Sequence, residues 1–161
     1  AAKLFKISGP VPGADLNEII RQAKNGRLKA LIILAEDVSK LGITAEDLEK
    51  IPTVIVVDIL LNEATRAASI VLPAAGFAEK RGSMINAKGR LQRLNRATNA
   101  PGEAREDWEI LNDLIQAVSG GNGIHAIEDV FKQMAASYPV FAGLSLSKIG
   151  DLGVQLELPP E

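Results

Sequence analysis

The residues best suited to bind a ligand lie at the end of one apolar segment. Asp58 ends the run Thr53–Val57, and Asn62 comes four residues later. If this run is a strand of a parallel sheet, Asp58 stands at the carboxyl edge, where open α/β sheets bind ligands. Its carboxylate could then accept hydrogen bonds from a guanine edge or from ribose hydroxyls. The alternative is a capping role, in which Asp58 binds nearby backbone N–H groups.

Asn62 begins a segment that is predicted to be helical through Ala68. The first amides of a helix can hold a phosphate. Asparagine is equally a good N-cap residue, which needs no ligand. The sequence favours the N-cap.

A basic stretch forms the third candidate. It runs from Lys80 to Arg96 and contains six Lys or Arg; with the preceding Glu79 the sum is +5 over 18 residues. Such a stretch could bind a pyrophosphate or an acidic partner, or lie solvated in a loop. It has no nucleophile–base pair and no metal ligand set, so we predict a docking surface. The alternative is a loop folded back on this chain, with Arg90 paired to Asp58 or Glu79.

Composition limits the remaining functions. The 161 residues have a net charge of −2, which argues against binding to nucleic acid or an anionic membrane. The absence of cysteine excludes thiolate-bound iron–sulfur clusters and zinc, and the single histidine, His125, is predicted to lie on the surface. No apolar run approaches the ~20 residues that span a bilayer. A soluble chain with no catalytic residues of its own is expected.

The first half of the chain alternates between two periodicities. Short runs that are apolar at successive positions predict strands buried on both faces of a parallel sheet, and capped amphipathic segments between them predict crossover helices. Three strands make a thin sheet, so further strands are expected before residue 1. The predicted helices are 15–26, 44–50 and 62–68, and the predicted strands are 28–35, 53–61 and 69–72.

The second half is less regular. Residues 77–101 show no sustained period and are predicted to be a long loop. A helix follows, with Trp108, Leu111, Ile115 and Val118 expected to be buried on one face. Another helix carries Phe131, and an alternating tail at 154–158 suggests a strand. We predict one α/β domain over 1–161, divided into a βαβαβ core (1–76), the basic loop (77–101), and packing helices with a tail (102–161).

Three blocks of sequence resemble the molybdopterin oxidoreductase family. The second of these blocks lies in and around the basic stretch. A further segment, earlier in the chain, resembles the family's step from a helix to a strand. Together they cover roughly residues 13–120 in the family's order. The blocks are VVDILLNEATRAASIVLPAA (56–75), FAEKRGS with NAKGRLQ (77–83 and 86–92) and PGEAREDWEIL (101–111), and the earlier segment is GRLKAL (26–31).

The sequence of the loop is most similar to that of the large iron–sulfur subunit of respiratory complex I, the NADH:quinone oxidoreductase. That resemblance implies a formate dehydrogenase/DMSO reductase-like fold and a structural role within an enzyme that passes electrons from NADH to quinone. Its iron–sulfur clusters would lie elsewhere in the subunit. Its partners would be other subunits of the peripheral arm, on the cytoplasmic side of the inner membrane. The alternative is the nucleotide-end cofactor-binding part of a molybdenum enzyme such as formate dehydrogenase or nitrate reductase.

The resemblance also bears on the cofactor. In the molybdenum enzymes the residue matching Asp58 contacts the guanine end of the pterin, and a glycine-containing turn after the preceding strand faces the cofactor. Here that turn is Ala35-Glu36-Asp37-Val38, which lacks glycine and carries two carboxylates. Asp58, Asn62 and the nearby Glu79 are therefore expected to be vestigial cofactor positions. Neither molybdopterin nor a guanine nucleotide is expected to bind tightly.

Overall fold

The computed structural model describes residues 16–121 and 123–157, which form two compact units. The N-terminal unit comprises residues 16–74, and the C-terminal unit comprises the described residues from 75 onward. The expected helix start at Asp15 and the end of the tail at Leu158 lie outside the described residues. The assignment of residues 1–161 to one domain stays a prediction.

The N-terminal unit contains the predicted parallel sheet. Its order is β1-β2-β3, with Ile33 beside Val56 and Val57 beside Leu72. The α/β fold class is thereby confirmed. The strands are β1 (Ala30–Leu34), β2 (Thr53–Asp58) and β3 (Ile70–Pro73), and the helices are α1 (Leu16–Lys24), α2 (Ala45–Glu49), α3 (Glu63–Ala67) and a 3-10 helix (Val38–Leu41).

Only the central strand has the predicted burial on both faces. Val54, Val56 and Val57 of β2 are almost fully inaccessible, whereas Ile32 of β1 and Val71 of β3 are exposed. A run of apolar residues predicts a strand in a parallel sheet, but it does not predict what covers each face. The expectation of double-sided burial was therefore wrong for the outer strands of this unit.

Local capping explains the short helices of this unit. Thr44 accepts a hydrogen bond from the Asp47 amide, and the Asp47 carboxylate accepts one from the Thr44 amide, which makes a capping box at the predicted start of α2. Asp37 caps the 3-10 helix, because its side chain accepts a hydrogen bond from the Ser39 amide. This 3-10 turn was not predicted, because it is too short to show a period.

The C-terminal unit corrects the prediction of a long loop at 77–101. Residues 82–94 form a β-hairpin, and the tail adds a third antiparallel strand to it. The strands are β4 (Gly82–Ile85), β5 (Arg90–Leu94) and β6 (Val154–Gln155), and the helices are α4 (Asp107–Ser119), α5 (Ile127–Ser137), α6 (Leu146–Ile149) and a 3-10 helix (Pro139–Phe141).

The residues that suggested a loop form the hairpin turn. The Asn86 side chain accepts hydrogen bonds from the Lys88 and Arg90 amides, and Gly89 adopts a φ of 76°, which favours glycine. The two strands are only four and five residues long, and each contains polar side chains. Their alternation was too short to be recognised as a strand period.

The core of the C-terminal unit also differs from the prediction. Phe131 of α5 packs edge to face against Phe141, with ring centroids 6.3 Å apart, and Leu91 of β5 lies in the same cluster. On α4, however, Ile115 is exposed and Val118 is 89% exposed. The helix carries apolar residues on more than one face, so periodicity alone could not select the buried one. Trp108 and Leu111 are half-buried, and Ile110 is the buried residue of this helix.

Candidate functional site

The first candidate site is the carboxyl edge of the parallel sheet. The register places Leu34 beside Val57 and Asp58 beside Pro73, so all three strands end at this edge. The Ala35 amide donates to the Val57 carbonyl at 2.9 Å, which joins the turn after β1 to β2. Open α/β sheets bind ligands at such an edge.

The Asp58 carboxylate is held by its own chain. Its Oδ1 accepts hydrogen bonds from the amides of Ile59 at 2.7 Å and Leu60 at 3.1 Å, and its Oδ2 accepts one from Asn62 Nδ2 at 2.9 Å. A carboxylate has about four acceptor positions, of which three are used here. The predicted capping role is confirmed, and one acceptor position on Oδ2 is left.

Asn62 positions both Asp58 and the next helix. Its Oδ1 accepts from the Thr65 amide at 3.0 Å, and Thr65 Oγ1 accepts from the Asn62 amide at 2.8 Å. This capping box begins α3 as predicted. Because Asn62 Nδ2 also donates to Asp58, the helix start fixes the orientation of the carboxylate.

The turn after β1 gives this edge an acidic character. Among the described residues, Ala35 is the one non-glycine with a positive φ, at 49°, a conformation that favours glycine. Glu36 is exposed beside it. Hydrogen bonds from Ser39, together with a contact to Lys40, lower the pKa of Asp37 although desolvation opposes them. Asp37 is therefore charged at neutral pH.

Glu79 belongs to the C-terminal unit, whereas Asp58 and Asn62 belong to the N-terminal one. Its Oε2 accepts a hydrogen bond from the Gly76 amide at 2.7 Å. This bond closes a local turn around Phe77. The structure thus brings Asp58 and Asn62 together and gives Glu79 a separate role.

The charged side chains of the basic stretch bind mainly to groups of their own unit. This geometry agrees with the alternative in which the cations serve the fold, except that Arg90 binds carbonyl oxygens and not the carboxylate of Asp58 or Glu79. Lys88 lies exposed in the hairpin turn. The contacts are Lys80 with Asp107, Arg81 with Glu128, Arg90 with the carbonyls of Leu152 and Gly153, Arg93 with Asp151, and Arg96 with Glu106.

A buried carboxylate, Glu106, organises one end of this stretch and was not predicted. Its side chain is 5% exposed; it accepts hydrogen bonds from Arg96 and, at 2.9 Å, from Trp108 Nε1. Burial would raise the pKa of Glu106, but the bonds from Arg96, Trp108 and the Arg81 backbone outweigh it and lower the pKa. The available signal was the indole N–H two residues away, which needs an acceptor when it is partly buried.

His125 is exposed, as predicted, at the entry to α5. Within residues 16–121 and 123–157, no group of three His, Asp or Glu side chains could hold a metal ion. In the same part of the chain, no helix is both long and apolar enough to cross a membrane.

Known proteins resemble this chain over most of its length. The family model described as molybdopterin oxidoreductase matches residues 5–117. The alpha subunit of the F420-dependent formate dehydrogenase 2 of Methanococcus maripaludis is 33% identical over 156 residues, covering 88% of this chain and 23% of the relative. The alpha subunit of the NADPH-Fe(3+) oxidoreductase of Geobacter sulfurreducens is 36% identical over 136 residues, covering 82% of this chain and 16% of the relative.

The acetylene hydratase of Pelobacter acetylenicus is similar in structure. It matches with a TM-score of 0.64 and 14% identity, over 89% of this chain and 21% of that chain. At this identity the match supports the fold alone. The chain spans between 16% and 23% of the length of the two curated relatives.

Proposed function

The chain belongs to the molybdopterin oxidoreductase family, and we propose that it forms the part of a molybdopterin-dependent oxidoreductase, such as a formate dehydrogenase, that meets the nucleotide end of the cofactor. One observation carries this proposal. Asp58, at the carboxyl edge of the sheet, is held by Asn62 and retains one acceptor position. The similarity to formate dehydrogenase subunits supports this function over the complex I role.

The edge fits one portion of such a cofactor better than another. Asp58 Oδ2 can accept one hydrogen bond from a base N–H or a ribose hydroxyl, and the exposed apolar residues Ile59–Leu61 can cover a base. A pyrophosphate fits less well, because Glu36 and Asp37 would repel it. The cofactor, when bound, supplies the metal at which oxidation and reduction take place. The contribution of this chain would be to bind and orient the nucleotide.

A second candidate is the structural role in the large iron–sulfur subunit of NADH:quinone oxidoreductase. The observation that favours it is how Asp58 and the turn after β1 are arranged at the carboxyl edge of the sheet. Three internal hydrogen bonds already engage Asp58, and an alanine with φ 49° stands in the turn where the molybdenum enzymes have glycine. In that role the chain would carry no chemical step, and its partners would be subunits of the peripheral arm.

Calorimetric titration with GDP separates the two candidates. The titrated sample is the natural protein that contains this sequence, freed of cofactor. The cofactor role predicts binding that Asp58→Ala weakens by about tenfold, as expected for loss of a hydrogen bond to a charged group. Asp37→Ala is the matched control, because it removes a carboxylate from the same edge without touching Asp58, and binding should be equal or tighter.

Absence of GDP binding, or equal weakening by both substitutions, would contradict the cofactor role. Elemental analysis of the natural protein for molybdenum and tungsten gives an independent test. Metal in stoichiometric amount supports the cofactor role, and its absence from fully assembled protein supports the structural one.

A further inference from the structure

A small cavity in the C-terminal unit has the chemistry of an anion site. It has a volume of about 210 Å³ and lies among β4, β5, the start of α5 and the start of α6. Arg81 and Arg93 line it together with the carboxylate residue Glu128 and the hydroxyl residues Ser145 and Ser147. We propose that this cavity binds the phosphate group of a small molecule.

One donor nitrogen of Arg93 has no acceptor in the protein. Its Nε is buried and has no hydrogen-bond acceptor, while Nη2 is bound to Asp151 at 3.1 Å. A buried donor without an acceptor is costly, and in native proteins such a group usually has a partner. Because Nε is out of reach of solvent in this conformation, phosphate would bind the terminal nitrogens of Arg93 and Arg81, and a planar guanidinium can present two parallel N–H groups for this contact.

The carboxylates that now bind the two arginines are weak competitors. Asp151 is 91% exposed, and Glu128, which lies 3.4 Å from Arg81, is 56% exposed. Exposed pairs of this kind contribute little free energy, since water and salt screen them. A phosphate inside the cavity, with up to two negative charges, can therefore replace both carboxylates as the acceptor.

Neutral donors complete the site. The hydroxyls of Ser145 and Ser147 lie 3.0 Å apart, and the side chain of Asn95 lines the same cavity. Guanidinium, hydroxyl and amide groups all donate hydrogen bonds, and the oxygens of phosphate accept them. The volume is below the ~300 Å³ at which pockets for drug-sized ligands begin. A cavity of this size suits a phosphate group. An acidic protein would instead need a broad and open surface for docking.

This site shares no residue with the Asp58 edge, and it goes beyond the proposed function. The two are separated by one titration. Calorimetric titration of the natural protein with inorganic phosphate, at constant ionic strength set with sodium chloride, should show saturable binding with a dissociation constant of about 1 mM or tighter. Asp58→Ala should leave this binding unchanged, whatever the outcome with GDP.

Matched substitutions identify the site. Arg93→Gln should weaken phosphate binding by about tenfold or more, and Ser147→Ala should weaken it by about threefold. Lys88→Gln removes the same charge from an exposed position in the same hairpin, and it should change binding by less than about twofold. Arg81→Lys retains the charge but loses the fork, so it tests the geometry even if Arg93→Gln fails to fold.

Three results would overturn the proposal. The first is the absence of saturable phosphate binding. The second is a loss in Lys88→Gln as large as that in Ser147→Ala and Arg81→Lys, which would indicate general electrostatic attraction. The third is Arg81-dependent binding of polyglutamate without binding of phosphate, which would indicate a docking surface for an acidic protein.

Discussion

The ion pair between Arg96 and Glu106 gives the sharpest test of the structure. Glu106 is 5% exposed, whereas the Arg96 side chain is 45% exposed. Removing one partner of a fully buried pair costs about 3–5 kcal/mol, because the other charge stays buried and unpaired. Since half of this pair faces solvent, we expect Arg96→Gln to destabilise the protein by about 2–3 kcal/mol near neutral pH.

Arg105→Gln is the matched control. The Arg105 side chain is 49% exposed, close to the value for Arg96, but its partners are far more exposed than Glu106: Asp113 is 54% exposed and Glu109 is 35% exposed. Loss of these pairs should cost about 0–1 kcal/mol. The difference between the two variants therefore measures the burial of the carboxylate and not the loss of a surface cation. Urea denaturation monitored by circular dichroism gives both free energies of unfolding.

The pH dependence follows from the lowered pKa of Glu106. Although burial opposes it, the hydrogen bonds from Arg96 and Trp108 stabilise the ionised form. This stabilisation is present above the pKa of the unfolded chain and is lost as pH falls through the lower folded pKa. In Arg96→Gln the bond is gone and burial remains, so the pKa of Glu106 rises. The deficit relative to wild type should therefore be largest near neutral pH and shrink towards about pH 4 and below.

Two results would refute this reasoning. One is equal destabilisation by Arg96→Gln and Arg105→Gln. The other is a deficit for Arg96→Gln that does not change with pH. A large deficit would support the alternative in which these cations serve the fold.

Four further substitutions test the fold and the sheet edge, each by urea denaturation. Ala35→Gly should stabilise by about 0.5–1 kcal/mol, because glycine removes the strain of the positive φ but costs unfolded-state entropy; destabilisation would contradict the left-handed conformation. Asn62→Ala should cost about 1–2 kcal/mol through loss of the N-cap and of its bond to Asp58, and an effect below about 0.5 kcal/mol would contradict the capping box. Trp108→Phe should cost about 1–2 kcal/mol through loss of the donor to Glu106, whereas Val118→Ala should cost less than about 0.5 kcal/mol; equal costs would contradict the observed burial.

Local signals in the sequence predicted the three strands of the N-terminal unit and the starts of α2 and α3. The apolar run Thr53–Val57 predicted β2, and the N-cap residues Thr44 and Asn62 predicted the starts of α2 and α3. Each of these signals lies within a few residues of the structure it determines. Capping was one of the two roles considered for Asp58 from its place at the end of a strand, and its hydrogen bonds to the Ile59 and Leu60 amides agree with that role. The family was recognisable from the same segments, since they contain its motifs.

Tertiary structure decided which strands of the C-terminal unit pair and which of its side chains are buried. The Arg93 partner Asp151 and the β6 strand are both more than 55 residues away in sequence from the hairpin they contact. The buried face of α4 depends on which neighbours pack against it, because the helix offers apolar residues on more than one side. Glu106 became a buried, charged residue only because Arg96 and Trp108 surround it. Sequence patterns report contacts between near neighbours, whereas these contacts join residues that the chain brings together only when it folds.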